Sequence, residues 1–259
     1  MLSVKGARKT FYAGTLDERR ALDDLDLTLA DGDFCVVIGS NGAGKSTLLN
    51  AISGKQRLDA GSVTIDGVDV TALPVHRRAR YIARVFQDPM IGTAPTMTIA
   101  ENMLLAELRG RRLRLAHGLT QRRRQTYRDR LALLGLGLEN RIDAPVGVLS
   151  GGQRQSLSLI MAVTTEPRIL LLDEHTAALD PKTADTVMQA TIRAIAEFHL
   201  TVLMVTHNME HAVRYGNRLI MMDRGAVHLE VAMPEKAGYT VDSLIERFHV
   251  KTDRMVLQA

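Results

Sequence analysis

A glycine-rich stretch near the amino terminus constrains the fold of this chain more than any other part of its sequence. Gly39 is followed by four residues and then by Gly44, Lys45 and Ser46. Glycines allow a tight loop to turn several backbone N–H groups toward one point, and a helix that follows directs its positive end there. The apolar run F-C-V-V-I precedes the loop and indicates a buried strand. We predict a strand, a phosphate-binding loop and a helix over residues 45–53, with an ordinary glycine-rich turn as the alternative.

Contacts to a nucleotide are predicted on both sides of this loop. Lys45 is expected to reach the β- and γ-phosphates, and the hydroxyl of Ser46 is expected to bind Mg²⁺. An aromatic residue at the end of the first strand would suit stacking on a purine base, which makes Phe11 and Tyr12 candidates. Packing of these two rings against the protein is an equal alternative.

The composition is that of a folded chain that does not cross a membrane by itself. Of its 259 residues 46% are hydrophobic, yet its longest apolar runs are far shorter than the roughly 20 residues that a helix needs to span a bilayer. The amino terminus lacks a hydrophobic segment of the signal-peptide type, and the single cysteine, Cys35, lies within an apolar run. We therefore expect a cytoplasmic protein in which Cys35 is a core side chain rather than a redox thiol.

The positive charge of the chain is concentrated in one segment. Residues 109–130 contain nine arginines and one aspartate, a local charge of +8 against +4 for the whole chain, so the remainder carries −4. Such a segment indicates a nearby anionic surface, either phospholipid head groups or nucleic acid. A merely solvated helix face is the alternative.

Polar residues follow three other apolar runs, which we interpret as strands of the same sheet. Asp173 and Glu174 end the run R-I-L-L-L-D-E. Gln87 follows I-A-R-V-F, and His207 follows T-V-L-M-V-T. Because α/β sheets bind ligands at the carboxyl ends of their strands, Asp173 would suit hydrated Mg²⁺ and Glu174 a water molecule. Gln87 would contact Mg²⁺ or the attacking water. The alternative is that Asp173 and Glu174 are surface acids and that His207 is structural.

The sequence L-S-G-G-Q predicts a second phosphate cradle. Ser150 is a suitable helix N-cap, and Gly151 and Gly152 leave backbone N–H groups uncovered at the start of a helix that runs to about Val163. One nucleotide in one chain does not need two such cradles. If the two cannot reach the same phosphate within one chain, two chains must share it.

A helical insertion and an antiparallel β part surround these motifs. The sequence T-I-A-E-N-M-L-L-A-E-L has helical periodicity, with Thr98 and Glu101 in the positions of a capping box, and a second helix is predicted from about Gln121 to Leu134. Strands are predicted at residues 2–12, 22–29, 61–70 (a hairpin), 218–222 and 227–231.

In this order, the motifs resemble those of an ABC-type ATPase, the nucleotide-binding subunit of an ABC transporter. The resemblance covers about residues 1–232 and depends most on L-S-G-G-Q, which other P-loop ATPases lack. It implies one ABC ATPase domain of α/β class. Its parts would be a P-loop (RecA-like) nucleotide-binding core with an N-terminal antiparallel β subdomain (residues 1–87 and 164–232), an inserted helical subdomain (88–163) and a short extension (233–259).

The resemblance also implies roles for single residues. Catalysis would fall to Glu174 as the base, with His207 and Gln87, and Mg²⁺ would be held by Ser46, Gln87 and Asp173. Contacts to ATP are expected from two loops, one further aspartate and an adenine-stacking aromatic residue, for which Phe11 is favoured by position. The expected ATP contacts are Phe11, Tyr12, Gly39, Ser40, Asn41, Gly42, Ala43, Gly44, Lys45, Ser46, Thr47, Ser150, Gly151, Gly152, Gln153 and Asp180.

One residue departs from the family pattern, because His175 stands where the family usually has proline. The sequence D-E-H-T-A-A-L-D is similar to that of a group of bacterial importers, some linked to aromatic amino acids. The expected partners are a second copy in a head-to-tail dimer, transmembrane permease subunits and an extracytoplasmic substrate-binding protein, with the chain at the inner face of the cell membrane.

Two other functions are alternatives to this one. A soluble ABC ATPase that acts on nucleic acid or ribosomes would use the arginine-rich segment, but the chain has one cassette and no sustained heptads. A non-catalytic nucleotide-binding regulator is disfavoured because Glu174 and His207 are both present.

Overall fold

Two β-sheets organise the part of the chain that the structure describes. The structure, a computed structural model, describes residues 1–109 and 118–247. Its strands are β1 (Leu2–Phe11), β2 (Arg19–Leu29), β3 (Phe34–Gly39), β4 (Ala60–Ile65), β5 (Val68–Asp69), β6 (Ile82–Val85), β7 (Ile169–Asp173), β8 (Thr201–Val205), β9 (Arg218–Asp223) and β10 (Ala226–Ala232). Four form an antiparallel sheet in the order β2-β1-β4-β5. The other six follow the order β10-β9-β3-β8-β7-β6, parallel except for β10.

Helices cover both faces of the six-stranded sheet. They are α1 (Lys45–Ser53), α2 (Val75–Arg78), α3 (Ile99–Glu107), α4 (Gln121–Ala132), α5 (Gly151–Val163), α6 (Pro181–Phe198), α7 (Met209–Arg214) and a last helix, α8, over residues 241–247. Helix α4 ends at Ala132, two residues before its predicted end at Leu134, a difference within the usual spread of helix boundaries. Of the predicted extension, residues 233–259, the structure describes only the part up to residue 247.

The side chains of β3 alternate between the two faces of the sheet, so this one strand contributes to two cores. Val36 and Ile38 face a layer that contains α3, α4, α5 and α6. Cys35 and Val37 face the opposite layer, where α1 and the antiparallel sheet pack. Successive side chains of a strand point to opposite faces, so a strand that is apolar throughout must be covered on both sides. Burial raises the pKa of the Cys35 thiol to about 12, in agreement with the predicted core role.

The arginine-rich segment is tied into the fold by several of its own side chains. Arg109 donates to the carbonyl oxygen of Ala162 at 2.9 Å. Arg130 donates in the same way to Thr164 at 2.6 Å, and Arg124 pairs with Asp143 at 2.6 Å. Arg123 pairs with Glu107 at 3.2 Å. Four of the nine arginines thus make contacts within the chain, whereas Arg111, Arg112 and Arg114 lie outside the described residues. An anionic partner of this segment stays a prediction.

None of the helices in the described ranges combines the length and the apolar character that a bilayer crossing requires.

Candidate functional site

The phosphate-binding loop lies where β3 ends and α1 begins. The backbones of Gly42 and Gly44 lie in the left-handed region, with φ of 87° and 101°. A Cβ at Gly44 would lie 2.3 Å from the carbonyl oxygen of Ala21, so its φ and its surroundings both exclude a larger residue. The remaining predicted loop residues, Ser40, Asn41, Ala43, Ser46 and Thr47, lie in this loop and in the first turn of α1.

The side chain of Lys45 lies along the loop. Its ammonium group donates to the carbonyl oxygens of Gly39 at 2.7 Å and Ser40 at 2.9 Å. Burial lowers the pKa of Lys45, and the negative charge of Glu174 acts in the opposite direction. The structure therefore brings the predicted phosphate ligand and the predicted base close enough for their charges to interact, although they are 129 positions apart in the sequence.

Two residues outside the motif support the loop. Arg19, the first residue of β2, donates to the carbonyl oxygen of Gly42 at 2.9 Å. The backbone N–H of Gly225, in the turn between β9 and β10, donates to the carbonyl oxygen of Ala43 at 2.9 Å. Sequence reasoning missed both, because neither belongs to a motif and each contact depends on strand pairing between distant segments.

The two candidate adenine contacts lie at the end of β1. Phe11 on β1 pairs with Arg19 on β2, the residue that bonds to the phosphate-binding loop. The ammonium group of Lys9 lies 5.7 Å from the centre of the Phe11 ring. Tyr12 follows with 71% of its surface exposed and a φ of 53°. An adenine contact by Phe11 or Tyr12 stays a prediction.

The carboxyl ends of β6, β7 and β8 bring the other predicted residues together. Asp173 ends β7 opposite Val205 of β8, Gln87 lies two residues beyond β6, and His207 lies two residues beyond β8. His207 Nδ1 lies 3.2 Å from Glu174 Oε2. Glu174 has a φ of 45°, an uncommon value for a residue with a side chain, and its N–H donates to the carbonyl oxygen of Val205 at 3.0 Å. Strained backbone of this kind is enriched at functional sites.

Arg84 belongs to this site, and sequence reasoning missed it. Its guanidinium Nη2 lies 2.6 Å from Asp173 Oδ2, and its Nη1 lies 2.7 Å from Asn50 Oδ1 on α1. The available signal was a single arginine in the middle of the otherwise apolar strand I-A-R-V-F. A charged residue on a buried strand is rare unless it is paired.

His175 is buried in the turn that follows β7, directly after Glu174. Only 2% of its surface is exposed, and its Nε2 lies 3.2 Å from Thr191 Oγ1 on α6. The hydroxyl of Thr191 donates to the carbonyl oxygen of Val187 at 2.8 Å, so it accepts from His175, which assigns the proton to Nε2. Burial lowers the pKa of His175 to about 3, helped by the neighbouring His211. The imidazole is therefore neutral at physiological pH.

The L-S-G-G-Q stretch forms the start of α5 beside the start of α6. Ser150 caps α5 and is joined by Gln153 in a capping box, with N···O distances of 3.3 and 3.2 Å. A Cβ on Gly152 would lie 2.3 Å from Thr183 Cγ2, so this glycine permits close packing of the two helices. Asp180 caps α6 by accepting from the N–H of Thr183 at 3.1 Å, which lowers its pKa. Gly151, like Ser150 and Asp180, is exposed, so both helix starts face the surface.

The side chains predicted to hold Mg²⁺ have the chemistry that this ion prefers. The Ser46 hydroxyl, the Gln87 amide and the Asp173 carboxylate all offer hard oxygen ligands. Within the described ranges no group of three or more His, Cys, Asp or Glu side chains could hold a metal ion. A divalent ion here would therefore take its remaining ligands from water and from substrate phosphates, as Mg²⁺ commonly does.

Comparison with known proteins gives relatives over nearly the whole chain. The tyrosine transport ATP-binding protein of Clostridioides difficile (strain R20291) is 44% identical over 248 residues, which cover 96% of this chain and 98% of that protein. The methionine import ATP-binding protein MetN 2 of Enterococcus faecalis (strain ATCC 700802 / V583) is 34% identical over 230 residues, 88% of this chain and 64% of that longer protein.

A solved structure shares the fold. The dimeric, post-hydrolysis state of the ATP-binding cassette MJ0796 bound to ADP and Pi superposes with a TM-score of 0.76 at 30% identity, covering 90% of this chain and 99% of that one. The family described as ABC transporter matches residues 22–177, a range that begins in β2 and ends just after Glu174. With its phosphate-binding loop, its L-S-G-G-Q helix and the carboxylates at the end of β7, this chain belongs to the ABC transporter ATP-binding family, whose cassettes bind and hydrolyse ATP in support of transport.

Proposed function

We propose that this chain energises an importer of a small solute such as an amino acid. The observation that carries the proposal is the extent of similarity to the Clostridioides difficile tyrosine transport ATP-binding protein, which runs through 98% of that relative's length. The import function printed for the methionine relative agrees with the direction of transport. Tyrosine or another aromatic amino acid is the solute class that we favour.

In the proposed reaction a water molecule attacks the γ-phosphorus of ATP. The carboxylate of Glu174 accepts a proton from that water as its oxygen bonds to phosphorus, and the bond from phosphorus to the β–γ bridging oxygen breaks to release ADP. His207, 3.2 Å from that carboxylate, holds it in place. Lys45 and the loop N–H groups bind the β- and γ-phosphates. Mg²⁺, held by Ser46, Gln87 and Asp173, would neutralise charge on the phosphate oxygens.

We further propose that two copies share each nucleotide in a head-to-tail dimer. Ser150, Gly151, Gly152 and Gln153 of one copy, with its Asp180, would complete the site built on Lys45 of the other. The exposed start of α5 supports this arrangement, since the backbone N–H of Gly151 is available to an anion on a partner. The similar cassette MJ0796 is described as dimeric when bound to ADP and Pi.

The remaining partners are proposed from the transporter family. Residues 88–163 would act as a helical subdomain that passes motion from the core (residues 1–87 and 164–232) to transmembrane permease subunits, with residues 233–259 as a short extension. The chain would lie at the cytoplasmic face of the membrane, and an extracytoplasmic substrate-binding protein would deliver the solute. Phe11 or Tyr12 would stack on the adenine.

The nucleic-acid alternative has no support in the described contacts. Arg109, Arg123, Arg124 and Arg130 already bond to oxygens of the chain itself, so they are not a free basic surface.

Replacement of Glu174 by glutamine tests the proposal. The variant keeps the shape of the side chain but removes the base, which typically costs about 10² to 10⁴ in rate. We expect ATP to remain bound, and dimers to persist in ATP and Mg²⁺. Glu197→Gln, the same change at an exposed residue near the end of α6, is the matched control and should hydrolyse ATP normally. Near-normal hydrolysis by Glu174→Gln would refute the assignment of the base.

A further inference from the structure

Arg84 joins three elements of the nucleotide site. It lies on β6, pairs with Asp173 at the end of β7 and donates to Asn50 on α1, the helix that follows the phosphate-binding loop. The Phe86 ring lies 5.0 Å from the guanidinium carbon and covers one face of it. The side chain is only 10% exposed, and that of Asp173 is 18% exposed. This ion pair is screened less by solvent than a surface pair, and its geometry is fixed by packing.

The pair uses only one oxygen of the carboxylate. Asp173 Oδ2 accepts from Arg84 at 2.6 Å, whereas Oδ1 accepts no hydrogen bond from any residue of the described ranges. Arg84 thus fixes the rotation of the carboxylate and leaves its other oxygen for a ligand. It also brings a full positive charge next to that ligand's position.

Two pairs of opposite charges meet at the site without a nucleotide. Arg84 pairs with Asp173, and the negative charge of Glu174 acts on Lys45. A divalent cation alone would therefore meet two carboxylates that are each already offset by a cation. The polyphosphate of ATP supplies the missing negative charge.

We propose that Arg84 is a positioning residue that makes binding of the divalent metal depend on prior or simultaneous binding of the nucleotide phosphates. It offsets the charge of Asp173, holds Oδ1 toward the site and, through Asn50, ties that carboxylate to the phosphate-binding helix. The inference rests on the proposed function, since it takes Asp173 as a ligand of the hydrated metal.

The test measures Mn²⁺ binding to the nucleotide-free chain, with free Mn²⁺ read from its electron paramagnetic resonance signal. Arg84→Gln keeps hydrogen-bond donors but removes the charge, and Arg84→Lys keeps the charge but removes the two-pronged geometry. We expect Arg84→Gln to bind Mn²⁺ about tenfold more tightly than the unchanged chain, because a like charge next to the metal has been removed. Arg84→Lys should remain within about twofold. The gain should disappear when Asp173→Asn is added to Arg84→Gln.

Two controls keep the result interpretable. Arg80→Gln removes the same charge from an exposed residue four positions before Arg84 and should leave nucleotide-free Mn²⁺ affinity unchanged. Arg84→Met is a second neutral variant in case the glutamine variant does not fold. Equal Mn²⁺ affinity of the unchanged chain and of a folded neutral variant would overturn the inference. Because no nucleotide is present, this outcome is separate from the hydrolysis test of Glu174, on which the proposed function stands or falls.

Discussion

The buried His175 makes a specific contribution to the pH dependence of folding stability. Burial and the neighbouring His211 lower its pKa from the ordinary 6.5 to about 3. Between those two values the unfolded chain binds a proton that the folded chain does not, so the free energy of unfolding falls as the pH falls below the unfolded value. Each pH unit costs about 1.4 kcal/mol, and this one residue should remove about 2 kcal/mol between about pH 8 and about pH 5.

His175→Gln is the perturbation that isolates this effect. Glutamine cannot be protonated, yet its amide can still donate to Thr191. The variant should therefore lose about 2 kcal/mol less than the unchanged chain over the same pH interval, whatever its stability at neutral pH. Urea unfolding at several pH values, without nucleotide or metal, measures the difference. His211, whose pKa is also lowered by burial, is present in both proteins, so the comparison isolates His175 together with its interaction with His211.

A matched variant separates burial from the mere number of histidines. His76 is exposed on α2, and His76→Gln should follow the pH dependence of the unchanged chain. If the stability curves of His175→Gln and the unchanged chain run parallel from pH 8 to pH 5, the reasoning about burial at this position is refuted. A folded-state pKa near 6 for His175, measured by nuclear magnetic resonance, would contradict it independently.

Three further substitutions test how the site is supported, each by chemical denaturation. Arg78→Lys should lower the free energy of unfolding by about 2 to 4 kcal/mol. The buried guanidinium donates to four carbonyl oxygens, two of them at the end of α1, and an ammonium group cannot span them. An unchanged denaturation midpoint would count against this. Gly152→Ala should cost about 1 to 3 kcal/mol because its Cβ would overlap Thr183, and a neutral effect would show that α6 yields easily. Thr98→Ala removes a capping box with Glu101 and should cost about 1 kcal/mol, whereas Thr98→Ser should not.

The parts of the site that sequence reasoning predicted are those encoded by local pattern. The phosphate-binding loop needs only its glycines, Lys45 and the apolar run before it. The capping box at Thr98 is likewise encoded by four consecutive residues. The box at Ser150 carried the same signal in Gln153, three residues on, which the sequence analysis did not use.

The parts that it missed depend on packing between distant segments. Arg84 and Asp173 are 89 positions apart and meet only because β6 and β7 are paired in one register. His175 meets Thr191 only because α6 packs beneath the loop after β7. No local pattern contains such distances, since a pairing register is set by the whole sheet.

The measurement that tests the central claim most directly mixes two inactive variants. Lys45→Ala removes a phosphate ligand, and Ser150→Arg blocks the second cradle, so each alone should inactivate both sites of a dimer. If the sites are shared, a mixed dimer places both lesions in one site and leaves the other intact. We expect ATP-dependent heterodimers that retain one tightly held ATP each. Heterodimers that form but hold no more ATP than either variant alone would show that Ser150 acts within its own chain, and would contradict the shared-site account.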